Sequence, residues 1–276
     1  STPIKSSAAS DVYKRQLIMR LMKRILSAAA VLALSASLLV GCSSGTASSV
    51  PVSASSAAES TVSSVEETAS SAVDENEAAA AQLLNDLTGS YQELWPVILA
   101  DEYKQTWLDD CTALVGEDNA EAAFEKLSSM VTGDVYGEDA VKAYANGGGA
   151  YFCGFTNSLA ILTFDGETST ISGTDKDGNV LFSHTYHYIG MEPVRGLYEF
   201  QSDDADSGEF TYFFLAPDTS AETYHIEFRY GSDAEALSQY DTGEYAYWLA
   251  SGISTDCDQT MIDNCIELFC TENLAG

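Results

Sequence analysis

The chain has 276 residues, with 12 Lys and Arg against 42 Asp and Glu, a formal net charge of −30. A surface this acidic repels nucleic acid and anionic lipid and draws in cations, so no nucleic-acid partner is expected. The same charge keeps a secreted protein soluble, which accounts for most of it.

In chain order, the first segment of interest is "DVYKRQ" (Asp11 to Gln16). It reads as the translation of a transposon-end sequencing adapter, so residues 1–21 are expected to be a cloning or assembly scar, with Met22 as the native start. From Met22, "MKRILSAAAVLALSASLLVGC" gives two basic residues, an apolar run from Ile25 to Val40 and a small residue before Cys42. This is the plan of a secretory signal over 22–41, and the run is too short for a stable membrane helix. "LLVGC" resembles the lipobox of bacterial lipoproteins, which implies acylation of Cys42 and a lipid anchor holding the protein on the extracytoplasmic side of a cell membrane. Past Arg24 only six Lys and Arg remain against 41 acidic residues, a balance of −35.

Beyond Cys42 stand Cys111, Cys153, Cys257, Cys265 and Cys270. An odd number outside the cytoplasm leaves at least one thiol unpaired in a monomer. Cys265 and Cys270 are five apart on an expected helix and face different ways, so they are poorly placed to bridge each other. At most one or two disulfides are expected, with no pairing assigned.

From Ser43 to about Ala72 the chain is mostly Ser, Ala, Thr, Val and Glu without an aromatic residue and cannot repay the entropy of ordering. Residues 42–80 therefore read as a tether; about thirty such residues span roughly 30 Å. A domain is expected over 81–276. Leu83, Leu84, Leu87, Tyr91, Leu94, Trp95 and Ile98 fall at helical spacing, with Pro96 kinking or restarting the helix, and Phe124, Leu127 and Met130 repeat the pattern.

From Ala150 the period changes. "AYFCGF", "SLAILTF", "STISGT", "NVLFSHTYHYIG", "GLYEFQ", "GEFTYFFLA", "YHIEFRYG" and "YAYWLAS" are aromatic and β-branched runs of strand length, separated by turn clusters. About eight consecutive strands predict an antiparallel meander closed into a barrel, which removes exposed edges. A last helix from about Asp258 to Thr271 places Met261, Cys265 and Phe269 on one stripe, to pack on the barrel. The fold class is mainly β, an antiparallel β-barrel with N-terminal helices and a C-terminal helix.

Several polar motifs have plain readings. "DKDGN" (Asp175 to Asn179) lacks the register of a calcium loop and suits a hairpin turn, since Asp-Gly supplies positive φ. "NGGG" (Asn146 to Gly149) has no following lysine and reads as a linker, and "SDDADSG" as a solvated turn. The aromatics Tyr186, Tyr188, Tyr198, Phe200, Tyr212, Phe214, Tyr224 and Phe228 either line a ligand cavity or form core. No nucleophile elbow or papain-like context surrounds any histidine, so catalysis is not expected.

In "HIEFRYGSD", strand alternation turns His225 and Glu227 the same way. Imidazole and carboxylate both ligate zinc, but a zinc site ordinarily needs three protein donors. His184 and His187, in "FSHTYHY", are the remaining histidines; three positions apart, at most one of them looks into a barrel.

The stretch from about Leu83 to Ile253 resembles the ZinT family of extracytoplasmic zinc-binding proteins, whose lipocalin-like (calycin) barrel also forms the C-terminal domain of streptococcal zinc-uptake lipoproteins. "LTGSYQELWP" resembles the family's opening helix motif, "GLYEFQSDDADSGEFTYFFLAPD" the strand pair and Ala-Pro turn, and "HIEFRYGSD" its His-x-His strand. The resemblance implies three zinc-binding histidines. On this chain the first falls on His225, the second on Glu227 and the third, four residues before Pro217, on Phe213. The family's histidine-rich segment is absent. The resulting expectation is a surface-tethered lipoprotein that binds zinc or another divalent metal through His225, Glu227 and His187 or His184 inside the barrel, and passes it to a metal-uptake transporter. The alternative is a barrel that has lost its metal and binds a small apolar molecule or a partner protein; Phe213 favours it.

Overall fold

The computed structural model describes residues 75–218 and 220–275. The scar, the signal segment, Cys42 and most of the expected tether lie outside the described residues. Among the described residues no helix is long and apolar enough to cross a membrane.

Eight antiparallel strands close into a barrel: β1 (Gly89–Glu93), β2 (Ile161–Asp165), β3 (Thr170–Thr174), β4 (Val180–Met191), β5 (Tyr198–Ser202), β6 (Tyr212–Leu215), β7 (Ile226–Gly231) and β8 (Ala250–Ser254). Each pairs with the next, and β8 returns to β1 through Tyr91↔Ser254 and Glu93↔Gly252. The helices are α1 (75–86), α2 (Leu94–Ile98), α3 (Lys104–Val115), α4 (Glu117–Ser129), α5 (Glu138–Ala145), the single turns α6 (Ser220–Thr223) and α7 (Ala234–Leu237), and α8 (Gln259–Leu274). The expected lipocalin-like barrel with flanking helices is present.

Its membership differs from the sequence reading in two places. "GSYQE", read as part of a helix, is strand β1. Gly89 has φ +142°, a conformation closed to most L side chains, and it ends the helical path after α1. The apolar residues that looked like one helical stripe serve two separate cores. Leu83, Leu84, Leu87 and Tyr91 join the barrel core, whereas Leu94, Trp95 and Ile98 join a second cluster outside it. Conversely, "AYFCGF" is not a barrel strand. It runs beside the approach to β8, with Leu249 N–H donating to the Phe152 carbonyl (3.1 Å) and Ser251 N–H to that of Cys153 (3.0 Å).

The "DKDGN" hairpin forms as expected. Gly178 takes φ +81°, and the Asp175 carboxylate accepts from the backbone N–H of Asp177 and Asn179, both at 2.9 Å. These bonds, with that from the Asn179 side chain first among them, hold its carboxyl below the usual range. Asp258 caps α8 by accepting from Met261 N–H at 2.9 Å.

Two hydrophobic masses result. The barrel interior is filled by Leu162, Phe164, Ile171, Phe200, Phe213 and Phe228 with their neighbours. Outside the wall, α2, α3, α4 and α8 enclose Trp107, Leu127, Ile262, Ile266 and Ile253 of β8. The seam between this helical layer and the barrel receives His225 at the start of β7, which meets Cys265 of α8.

Candidate functional site

Strand β7 alternates without interruption. Ile226, Phe228 and Tyr230 belong to the barrel core, and each is no more than 3% exposed. His225, Glu227 and Arg229 therefore face the opposite way, out through the wall. The expectation that His225 and Glu227 share the lumen with a further donor is overturned: both stand in the seam beneath α8. The lumen is aromatic at the level concerned. Phe213 is fully buried and pairs in register with Tyr230, their rings 5.4 Å apart. Phe210 lies 5.5 Å from Tyr230 and 3.9 Å from Phe182, and Trp248 stands 5.0 Å from Tyr230. The one hydroxyl among these rings is satisfied, since Tyr230 donates to the Thr156 carbonyl at 2.9 Å and accepts from its N–H at 2.6 Å. Among the described residues no group of three metal donors is placed there.

In the seam, His225 follows Tyr224, whose φ of +64° turns the chain from α6 into β7. Its Nδ1–H donates to the Thr223 carbonyl at 2.6 Å, which orients the ring with Nε2 facing Glu227 Oε1 at 3.9 Å. The His225 side chain is 11% exposed and that of Glu227 24%. On the other side of the ring, Cys265 Sγ of α8 approaches Nδ1 at 3.8 Å. Burial disfavours the imidazolium, but the Cys265 sulfur and the Glu227 carboxylate outweigh it and hold the His225 pKa well above the ordinary histidine value.

This thiol–imidazole–carboxylate line has the order of a nucleophilic site but lacks an accessible thiol. Nδ1 is committed to Thr223 by the shorter contact, and Cys265 is buried in mid-helix at 2% exposure, out of a substrate's reach. Nor do the three groups chelate one ion, because thiol and carboxylate lie on different nitrogens of the ring. What remains is a two-donor arrangement, Nε2 and Oε1.

The other histidines are held elsewhere. His184 shares the lumen parity of Phe182 and Tyr186 and stacks beside Phe182 at 5.9 Å, but its Nδ1 pairs with Asp204 Oδ2 at 2.7 Å. His187 faces outward and pairs with Asp203 Oδ1 at 2.6 Å. The two do face opposite ways, as expected from their spacing, and both are engaged by the "SDDADSG" turn. Among the described residues no group of three His, Cys, Asp or Glu side chains is placed to hold one ion. Neither His184 nor His187 completes a site with His225 and Glu227.

Two features escaped the sequence reading. One is a cleft of about 320 Å³ outside the barrel, lined mainly by Trp95, Pro96, Leu99, Phe152 and Cys153 with Glu93 at its polar side. Glu93 Oε1 accepts from Phe155 N–H at 2.6 Å, which pins the accessory segment to β1. The other is a pair of cations, Arg229 fully buried and Arg195 half-buried. Arg195 and Arg229, the only arginines past residue 24, both lie over the Tyr240 ring, at 3.9 and 4.3 Å. Tyr240 lies outside the aromatic runs of strand length, and its meeting with two arginines depends on long-range packing.

No protein-family model matches the chain, and no curated protein sequence matches it. Among solved structures, the fold is similar to the Zn(II)-bound ZinT-like domain of AdcA from Streptococcus pneumoniae, with 15% identity and a TM-score of 0.43, over 67% of this chain and 89% of that one. It is also similar to Zn(II)-bound AdcA from the same organism, with 14% identity and a TM-score of 0.40, over 66% of this chain and 34% of that longer one.

Proposed function

We propose that this chain is an extracytoplasmic, lipid-anchored and non-catalytic binding domain that takes up a divalent cation, zinc foremost, as cargo at the seam outside its barrel and yields it to an uptake system. The single observation that carries this reading is the geometry of His225. Its Nδ1–H is spent on a backbone carbonyl while Nε2 faces the Glu227 carboxylate, the orientation of metal-binding histidines, and the incoming ion displaces the proton that the raised pKa keeps on Nε2. Two donors on one tetrahedral zinc stand about 3.3 Å apart, so the 3.9 Å separation closes with a small side-chain rotation. Water fills the remaining positions. With two protein donors and one of them a carboxylate, the site is weaker and harder than a three-histidine one, which suits transfer more than storage. The lipobox at Cys42 and the −35 balance past the leader support a cation-attracting domain held near a membrane.

Zinc titration of the full chain by calorimetry, with metal analysis after dialysis, tests this. One saturable site is expected, lost in His225→Ala and weakened at least tenfold in Glu227→Gln. Absence of saturable binding, or binding unchanged by both substitutions, refutes it. The lipid anchor is tested separately by Cys42→Ser, which should move the protein from the membrane to the soluble fraction.

A second reading is favoured by the outer cleft, whose volume lies at the low end for small-molecule sites and whose lining is largely apolar. In it the domain carries a small apolar molecule against Trp95 and Phe152 and needs no metal. Quenching of tryptophan fluorescence by an apolar probe such as an anilinonaphthalene sulfonate, abolished in Phe152→Ala while zinc binding stays absent, would replace the metal reading with this one.

A further inference from the structure

We infer that Cys111 and Cys270 form a disulfide that staples α3 to α8 when the protein folds in an oxidising compartment. The two residues are fully buried, and their sulfurs are in contact at 3.9 Å across the interface of the two helices. Trp107, one turn before Cys111, packs edge-on against Phe269, the neighbour of Cys270, with ring centroids 5.9 Å apart. Its Nε1–H is anchored on the Ile98 carbonyl at 2.7 Å. The approach of the helices at this level is thus fixed by aromatic packing independent of the sulfurs. Reaching a bond length of about 2.05 Å needs a closure of about 1.9 Å, within the range of rotation about two Cα–Cβ bonds. Two of the other three thiols are directed elsewhere, Cys265 to the imidazole of His225 and Cys153 to the Tyr151 carbonyl at 3.9 Å. The pairing also answers the odd count, because it uses two of the five cysteines of the domain and leaves three as thiols.

The oxidant is an external disulfide, either a small one or that of a thiol oxidase. One thiolate attacks a donor sulfur, giving a mixed disulfide and releasing one donor thiolate. The second cysteine's thiolate then attacks the protein sulfur of that mixed disulfide, closing Cys111–Cys270 and releasing the second donor thiolate. Two electrons pass to the donor, and the two protons lost by the cysteines end on its thiols. Burial raises the pKa of both thiols, with the Asp110 carboxylate adding to the effect, so the folded form supplies little thiolate. Exchange therefore belongs to the folding chain, before α8 docks on α3, and the closed bond is shielded from reductants afterwards. The two positions are 159 residues apart, so the cross-link removes a long loop from the unfolded ensemble.

The test is to refold the full chain in a mixture of oxidised and reduced glutathione, alkylate under denaturing conditions without reductant, digest and map by mass spectrometry. The expected result is one cross-linked peptide pair joining Cys111 to Cys270, two hydrogens lighter than the free peptides, with Cys153, Cys257 and Cys265 alkylated. Quantitative alkylation of Cys111 and Cys270, or their cross-linking to other cysteines, overturns the inference. In thermal melts, reductant applied during refolding should lower the midpoint by on the order of 5–10 °C in the wild type and leave Cys111→Ala/Cys270→Ala unaffected. A wild-type midpoint indifferent to reductant also refutes it. Zinc plays no part in either measurement, so the outcome is independent of the proposed function.

Discussion

Replacing Arg229 by Met keeps a long unbranched stem in the wall of the barrel and deletes the guanidinium. Arg229 is fully buried, and it donates through Nη1 to the Leu237 carbonyl and through Nη2 to that of Tyr245, with the Gln239 carbonyl at 3.4 Å from both nitrogens. These carbonyls belong to α7 and the irregular stretch before β8, a segment that is also held by Gly137 N–H donating to the Ala246 carbonyl (2.8 Å) and Phe152 N–H to that of Tyr247 (3.0 Å). Removing the donors strands two buried carbonyls at about 1–3 kcal/mol each. It also forfeits stacking on Tyr240, worth about 1–2 kcal/mol when desolvated. Against this, the folded state no longer bears the cost of burying a cation, several kcal/mol on its own. That cost is visible in the depressed Arg229 pKa, caused by desolvation first and with Arg195 adding repulsion. Taking the terms together, Arg229→Met is expected to cost roughly 3 kcal/mol, a midpoint lower by about 6–12 °C for a domain of this size. Urea and thermal unfolding of the full chain followed by circular dichroism measure it. Arg229→Lys should fall between the two, because one ammonium cannot span both carbonyls. A Met variant within about 1 kcal/mol of wild type would refute the claim that the guanidinium holds this segment.

Asp110 of α3 sits near Asp109, Asp263 and Glu267, and its carboxyl is held above the usual range, by burial first and then by Glu267, Asp109 and Asp263. A raised carboxyl pKa in the fold means that the unfolded chain loses this proton first as pH rises. Stability then falls from the unfolded value upward through the folded pKa. Asp110→Asn should raise the melting midpoint at pH 7 and flatten its pH dependence below neutrality; an unchanged profile would show that the group is solvated in solution. Phe213→His places an imidazole where the ZinT-like pattern has one, but among the rings of Phe228 and Tyr230. It should destabilise the fold by roughly 3 kcal/mol and leave zinc affinity unchanged, as titration would show. A gain in affinity would mean that the lumen does offer a second donor.

The barrel was legible because its strands carry two signals at once, β-branched and aromatic runs and turn residues whose chemistry is specific. "DKDGN" is the clearest instance, with Gly178 at positive φ and Asp175 accepting from the turn's own backbone. Strand number came out at eight, but through compensating errors. "AYFCGF" has the composition of a strand and finds hydrogen bonds beside Tyr247 to Ser251, yet the ring closes with "GSYQE". Composition cannot separate these, because closure is a long-range event: β1 pairs with β2 about 70 residues later and with β8 some 160 residues later. Helices α3 and α5 went unread for a different reason. They bury only Trp107 with Cys111, and Ala140, respectively, so their apolar stripes are too narrow to stand out.

The site turned on a matter of parity. A slip of one residue exchanges the two faces of a strand, so correct periodicity with the wrong face assignment moves every polar group from lumen to exterior. His225, Glu227 and Arg229 alternate with Ile226, Phe228 and Tyr230, and the sequence fixes only that the two sets are opposed. The choice between faces follows from energetics. An eight-stranded barrel has an interior that side chains can fill, and burying an arginine, a carboxylate and an imidazole there would require partners for all three. The neighbouring strand decides the matter. Phe213 of β6 stands opposite Tyr230 in the register, so it shares a face with the aromatic set and not with His225. The His225–Glu227 pair and Phe213 thus do not line one lumen site. The His225–Glu227 pair is set by β7 and by the Thr223 carbonyl, so the helix above it contributes a thiol contact to the far nitrogen of the ring and no donor to the pair.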